Sequence, residues 1–470
     1  MKQVVVIGGG IAGLSAAYSL QKLSAGGGQP IGITLIEAEP GWGGKIVTER
    51  KDGFVVEGGP DTFLASKPWG VALCRELGLE GSLQGTNPDQ KNTYVLHRGC
   101  LQPLPEGLTM MIPTRFSPMV RTGLLSWPAK IRMGMDFFLP PHLANGDESL
   151  GAFVSRRLGR AAYERLIEPL MSGIYAGDGD RLSLQSTFPY LRDLEMRHGG
   201  LVKGALHMRR RISQKGGHVQ GTRSAFLTPQ TGLAEIVEAL VARLSTAGVR
   251  MLSGVAVQDL AYDSRFYSLE LQNRESLRAD GMILATPAFV SGSLLDSLDT
   301  PLAADLRAIP YVSTATVSLA YREKDLPRPL DGYGYVIPRQ EGRRALACTW
   351  TSTKFPHRAP QGYALLRVFI GRAGQEVELP TDEAGLRELA QEELALTLGI
   401  TAPPVFARVF YWERAMPQYN LGHPARLERI DAAIQRFPGL ALAGNGYRGI
   451  GIPDCIHSGE IAAERIFHAL

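Results

Sequence analysis

Residues 3–7 (QVVVI) are short, apolar and β-branched, the pattern of a strand buried on both faces of a parallel sheet. From 11 to 23, alanine, leucine and serine recur at helical spacing, which predicts a tightly packed helix. The glycine-rich stretch 25–28 reads as a loop, and a second strand is predicted over 33–36, ending at Glu37. The chain therefore opens with a strand–helix–strand unit. Two later apolar stretches have the same strand character. One covers 282–285 and is closed by Thr286-Pro287; the other covers 440–443 and leads through Gly444 to a helix from about 456 to 470. One parallel-sheet domain is thus collected from the start, middle and end of the chain. Between its pieces, 68–205 is rich in Leu, Met, Arg and Pro and reads as helices with irregular loops. Residues 305–412 carry alternating runs at 314–321 and 364–370, which predict antiparallel strands.

Composition narrows this picture only a little. A chain of 470 residues with 44% hydrophobic and 20% charged residues is expected to form two or three globular domains. Its net charge of +4 argues against bulk nucleic-acid binding. The cysteines Cys74, Cys100, Cys348 and Cys455 show no metal or disulfide spacing and are read as reduced, mostly buried thiols of a cytosolic protein. The N-terminus passes directly into a strand, so no export signal is expected. The most apolar long stretch, 124–139, is interrupted by Lys130, Arg132 and Asp136, and no bilayer-crossing helix is predicted.

The chemistry begins at Gly8-Gly9-Gly10-Ile11-Ala12-Gly13. Gly8 suits a tight turn, Gly10 lets main chain approach a pyrophosphate, and Gly13 lets helix and strand pack closely. The helix that follows would present unpaired N–H groups and partial positive charge to phosphates. Glu37, at the end of the second strand, can accept both ribose hydroxyls of an adenosine; the insertion at 25–28 explains its slightly long spacing from Gly13. With strand before, helix after and an acid on the second strand, the motif reads as a dinucleotide site rather than a structural glycine turn.

A second glycine pair, Gly43-Gly44-Lys45, lies just beyond the acid, and this arrangement resembles the two-dinucleotide-binding-domain flavoproteins. Gly58-Gly59-Pro60 fits that family's loop near the isoalloxazine, Val255–Val257 its adenine-side strand, and Ile283-Leu284-Ala285-Thr286-Pro287 an internal strand end. Leu440-Ala-Leu-Ala-Gly-Asn445 and Gly449-Ile-Gly-Ile-Pro453 resemble its last flavin-binding loop and helix. The resemblance implies FAD as cofactor, held by Gly8, Gly10, Ile11, Ala12, Gly13, Glu37, Ala38, Gly43, Gly44, Lys45, Gly58, Gly59, Pro60, Asp61, Val257, Trp412, Ile450, Gly451 and Ile452. Where the family usually has an arginine, this chain has Gly41, with Lys45 as the substitute phosphate contact. It also implies an α/β fold: a discontinuous Rossmann-type FAD domain (1–67, 225–300 and 413–470), a helical insertion (68–205) and an antiparallel-sheet substrate domain (301–412).

Three strings point to one branch. Gly58-Gly-Pro-Asp-Thr-Phe-Leu-Ala-Ser-Lys67, Leu170-Met-Ser-Gly-Ile-Tyr-Ala-Gly-Asp178 with Leu182-Ser and Thr187-Phe-Pro189, and Met416-Pro-Gln-Tyr-Asn-Leu-Gly-His423 are similar to segments of protoporphyrinogen oxidases. The closest likeness is to the soluble bacterial branch that oxidises coproporphyrinogen III to coproporphyrin III and also accepts protoporphyrinogen IX. The resemblance implies haem biosynthesis, a cytoplasmic enzyme and ferrochelatase as a partner. No second strand–glycine-turn–helix unit for NAD(P) is seen, so molecular oxygen is the simplest acceptor and peroxide the product. The cofactor carries the hydride step, so no acid–base residue is nominated and no metal is expected.

By the resemblance, Gly173 and Ile174 line the macrocycle and Lys67 meets a propionate; core packing for Ile174 and a solvated lysine are the alternatives. The basic stretch Arg197, Lys203, Arg209, Arg210, Arg211, Lys215 and Arg223 is read as a solvated loop, or as an electrostatic guide for a polyanion. Met110, Met111, Met119, Met133 and Met135, with Phe116, Trp127, Phe137 and Phe138 and interleaved Arg115, Arg121, Lys130 and Arg132, read as core with snorkelling cations. A peripheral membrane contact or substrate mouth is the alternative. Other functions on this fold are a flavin amine oxidase, whose aromatic cage would draw on Tyr335, Trp350 or Tyr447, a carotenoid desaturase, and a non-catalytic binding protein.

Overall fold

The computed structural model describes the chain except residues 110, 111, 114, 144, 145, 215–223, 377 and 378, and describes only the backbone at 109, 113, 116 and 208–214. The chain gathers into two compact units. The first comprises Met1–Thr86, Arg223–Pro310 and Ala425–Leu470; the second comprises Asn87–Thr222 and Tyr311–Pro424.

The first unit is built on a five-stranded parallel sheet in the order Arg250–Ser253, Ile31–Glu37, Lys2–Ile7, Gly281–Leu284, Leu440–Leu442. Its central strands are apolar throughout because helices pack against the sheet: Val4, Val6 and Ile283 share a buried cluster with Leu14 of helix Ile11–Gly27, Leu240 of Ala234–Thr246 and Ile456 of Ile452–Ala469. The stretch 25–28 is not the expected loop. The first helix runs on through Gly27 and stops at Gly28, whose φ of 65° provides a left-handed cap. The last helix likewise begins at Ile452, earlier than its periodicity suggested. An antiparallel three-stranded sheet, Val257–Tyr262, Tyr267–Leu271 and Ser276–Ala279, completes this part of the unit.

The second unit contains a seven-stranded sheet in the order Phe406–Pro417, Tyr311–Arg322, Tyr363–Ile370, Ala345–Trp350, Gly332–Val336, Asn92–His97, Cys100–Pro103. All neighbours are antiparallel except Gly332–Val336 with Asn92–His97. Helix Glu383–Leu398 buries Leu386, Ala390 and Leu394 against Val317, Leu366 and Val368 on one face. The stretch 68–205 is therefore not a purely helical insertion. Helix Pro68–Glu76 lies in the first unit, and the strands at 92–97 and 100–103 extend the large sheet. The edge of Gly332–Val336 offers unpaired backbone groups that the alternating run Thr93–Val95 satisfies.

The helical part of this unit rests on a buried ion cluster. Arg157 is fully buried, with Nε 2.5 Å from Asp136 Oδ1 and Nη1 3.5 Å from Glu195 Oε1, while Arg156 donates to Glu195 Oε1 at 2.7 Å. The Met–aromatic cluster is core only in part. Met119 and Met133 are buried, but Trp127, Ile131 and Phe138 are 64%, 66% and 83% exposed. Trp127 and Ile131 stand four apart on helix Trp127–Gly134 and so share its outer face, from which Met133 is rotated away. Met110 and Met111 lie outside the described residues, as does the side chain of Phe116. Among the described residues no helix is long and apolar enough to cross a membrane.

Candidate functional site

In the first unit the strand–turn–helix junction is shaped by what its glycines exclude. Gly8 has φ 109° and donates its N–H to Ile36 O at 2.8 Å; a Cβ there would stand 2.7 Å from Ala285 O. A Cβ on Gly13 would stand 1.8 Å from Gly8 O. Gly10 is different: a Cβ would meet nothing within 4 Å. It is also the N-cap of helix Ile11–Gly27, which has neither a side-chain cap nor an acid in its first turn. Open space thus lies beside an uncapped, electropositive helix end, the arrangement a diphosphate requires.

Glu37 sits at the lip of this cradle. Its Oε2 accepts from Gly9 N at 2.5 Å and its Oε1 from Glu39 N at 2.9 Å, so the carboxylate is fixed at the strand end. Val255 N donates to Glu37 O at 3.1 Å, which brings the segment leading into Val257 against the same strand end. The second glycine loop docks directly on the first: Gly43 N donates to Gly9 O at 2.8 Å, and a Cβ on Gly44 would be 3.3 Å from Gly10 Cα. Lys45 follows, half-buried and with no hydrogen-bonding or ion-pair partner among the described residues. Burial pushes its ammonium below the usual lysine range, against an opposing pull from nearby Cys455. A cation so placed suits a phosphate. The third loop packs on it, since a Cβ on Gly59 would be 1.9 Å from Lys45 O, and Gly58 N donates to Val47 O at 2.7 Å.

Ile450, Gly451 and Ile452 form the start of the C-terminal helix, with Gly451 as N-cap. Asp454 in its first turn accepts from Gly451 N at 3.2 Å. Gly459 allows this helix to cross the first closely: a Cβ there would stand 2.3 Å from Ala12 O. The C-terminal helix therefore crosses the first helix close to the latter's first turn. Sequence reading missed Asp454, Ser458 (whose Oγ accepts from Gly444 N at 3.0 Å) and Gly459. An acid three residues into a helix after a glycine cap was the available signal for Asp454.

Lys67, expected to meet a propionate, is engaged within its own unit: its Nζ is 2.6 Å from both Asp454 carboxylate oxygens. The second unit carries Trp412 on strand Phe406–Pro417, opposite Thr314, and Gly173 and Ile174 on helix Glu168–Tyr175. Ile174 is not core: it is 48% exposed while its neighbours Ser172 and Tyr175 are buried. Of the three aromatic-cage candidates, Tyr335 and Trp350 lie in the sheet's buried core cluster. Cys74, Cys348 and Cys455 are buried, with burial raising each thiol above its ordinary value, whereas Cys100 is exposed. In the basic stretch, the side chains of Arg209, Arg210 and Arg211 and all of Lys215 and Arg223 lie outside the described residues.

The model of the flavin containing amine oxidoreductase family matches residues 11–467. The chain belongs to that family. It is 39% identical over 464 residues to a coproporphyrinogen III oxidase of Bacillus subtilis (strain 168), covering 98% of this chain and 97% of the relative. It is 32% identical to a protoporphyrinogen oxidase of Bos taurus, covering 99% and 98%. A solved structure from Exiguobacterium sp. 255-15 superposes with a TM-score of 0.87 at 31% identity, over 99% of this chain and 98% of that one. The cofactor is accordingly a flavin dinucleotide, and the open space at Gly10, the uncapped helix end and the unpartnered Lys45 fit its diphosphate. When bound, the flavin supplies the hydride-accepting chemistry, and the chain's own residues bind and orient.

Proposed function

We propose that the chain is an FAD-dependent oxidase that converts coproporphyrinogen III to coproporphyrin III, and also protoporphyrinogen IX to protoporphyrin IX, with oxygen as acceptor and peroxide as product. What carries the reading is end-to-end likeness to coproporphyrinogen III oxidases of three bacteria, at 39%, 35% and 34% identity over nearly the whole chain. The FAD contacts we propose within the first unit are the Gly8–Gly13 turn, Glu37 and Ala38, Gly43–Lys45, Gly58–Asp61, Val257 and the helix start Ile450–Ile452. Gly173 and Ile174 face the macrocycle. Over its three two-electron oxidations a porphyrinogen loses three meso hydrides and three protons, two of them net from pyrrole nitrogens and one from the remaining meso carbon by tautomerisation, so positioning, not a strong base, is what the protein must chiefly supply. Placing Tyr335 and Trp350 in the core leaves an amine-oxidase cage without two of its three candidates.

The test is a paired assay on flavin-loaded protein, following porphyrin fluorescence and peroxide release with each porphyrinogen. Turnover of coproporphyrinogen at a higher kcat/KM is expected. Protein that cannot be loaded with FAD, or that oxidises neither substrate, would sink the proposal.

A peripheral membrane contact is part of the same reading, supported by the outward stripe of Trp127, Ile131 and Phe138 with Lys130 stacked 4.8 Å from the Trp127 ring. Charge reversal at Arg121 and Lys130 should abolish co-sedimentation with anionic liposomes; wild-type protein that never co-sediments ends the idea. By the family likeness, ferrochelatase receives the porphyrin, and a pull-down with that enzyme checks it.

A further inference from the structure

Helix Glu168–Tyr175 is held at both ends by two consecutive residues from elsewhere in its unit. At its start, the buried Glu168 carboxylate accepts from Ser172 Oγ at 2.6 Å and from Arg339 N at 3.1 Å, and lies 3.9 Å from Arg372 Nη1. Just past its end, Ala176 O accepts from Ala373 N at 2.8 Å. Ala176 has φ 49°, a left-handed conformation that is unfavourable for a non-glycine residue and persists only where its surroundings enforce it. Tyr175 O is held by Gln418 Nε2 at 2.8 Å, and Arg339 Nη2 binds Ala373 O at 2.9 Å. Between these anchors the helix presents Gly173, where a Cβ would meet nothing within 4 Å, and the outward Ile174.

The charge arrangement is unusual. Arg372 is 0% exposed; its Nη2 donates to Ile337 O at 3.2 Å and Ala345 O at 3.0 Å, but its Nε and Nη1 have no hydrogen-bond partner among the described residues. A guanidinium buried this completely needs a counter-ion, and the carboxylate that faces it is Glu168. Burial lowers its pKa to about 10, with Glu168 opposing the fall and Arg339 adding to it.

We propose that Arg372 and Glu168 are a positioning pair: they lock the helix so that its Gly173–Ile174 edge stands at a fixed place against the substrate, with Ala373 bracketing the other end. The pair touches no reacting atom and acts through Ile174. This rests on the porphyrinogen reading for the identity of the substrate.

The signature of such a pair is a charge-compensated cycle. In flavin-loaded protein, Arg372→Met leaves Glu168 buried and uncompensated, and the helix edge should shift. We expect kcat for coproporphyrinogen to fall about tenfold while the flavin spectrum is unchanged, because sub-ångström to ångström misplacement carries penalties of that order. Glu168→Gln should do the same. The double variant, which buries neither charge of the pair, should recover to within about threefold of wild type. Single variants with wild-type kcat and KM, or a double variant no better than the singles, would overturn the pair. If Arg372→Met does not accumulate, Ile174→Ala decides: removing an outward side chain leaves the fold intact, and an unchanged kcat/KM would remove the role on which the pair acts. Wild-type protein that oxidises no porphyrinogen at all would instead refute the substrate assignment, a separate failure.

Discussion

Adding one methyl group at Gly10 separates cofactor binding from folding. The backbone there has φ −71° and ψ 175°, which any residue adopts, and a Cβ would meet no atom within 4 Å. Gly10→Ala should therefore fold as well as wild type, or better by about 0.4–1 kcal/mol through the stiffer unfolded chain. On the proposed FAD placement, the methyl would stand where the diphosphate crosses the turn. Overpacking of that kind costs about 1–3 kcal/mol, which corresponds to a roughly 5- to 150-fold weaker Kd for FAD. Titration of the apoprotein by flavin fluorescence quenching reads this directly. The rise in Tm on adding FAD should shrink in step, since ligand stabilisation follows RT ln(1 + [L]/Kd). Gly13→Ala is the contrast, because its Cβ would stand 1.8 Å from Gly8 O and the helix must move off the strand. That variant should lose folded yield with or without FAD. A Gly10→Ala protein with wild-type FAD affinity would refute the placement of the diphosphate, and an unfolded one would refute the claim of open space.

Two further outcomes follow from buried charge. Glu393 is buried, accepts from Thr397 Oγ1 at 2.6 Å and receives a longer 3.5 Å contact from Tyr335 Oη; burial raises its pKa above the ordinary carboxylate value. The native state then holds this proton more tightly than the unfolded chain does, so stability falls as pH rises from the unfolded carboxylate pKa through the folded one. Glu393→Gln keeps an acceptor for Thr397 and should raise Tm at pH 7.5 while changing little near pH 4; a lower Tm at pH 7.5 would contradict the assignment. Asp136 Oδ1 pairs with buried Arg157 and its Oδ2 accepts from Val202 N at 2.7 Å, so Asp136→Asn removes the closer of the two carboxylates that compensate a buried guanidinium. A loss of about 3–5 kcal/mol in urea unfolding is expected, and a loss under about 1 kcal/mol would show that Glu195 alone suffices.

Much of the nucleotide half was legible because its constraints are local. The need for bare backbone at Gly8 and Gly13, the β-branched run before them and the acid after the second strand are all satisfied within about forty consecutive residues, and each limits what the chain can do there. The start of the last helix was misplaced because Gly451 and Asp454 mark it by capping rather than by period. The strand at 92–97 was missed because its partner at 332–336 lies far along the chain.

Other features depended wholly on tertiary structure. Lys67 reads as a substrate anchor, with a solvated cation as the alternative, until the fold brings it to Asp454, 387 residues away. Trp127 looks like core by composition, and only its position on the outer face of helix Trp127–Gly134 turns it to solvent. Arg372 and Glu168 give no hint of each other in the sequence, yet folding buries both charges side by side. Backbone clearance and hydrophobic period are properties of neighbouring residues and are written where they act. Burial and charge pairing are properties of the assembled chain, fixed only when distant segments exclude water together.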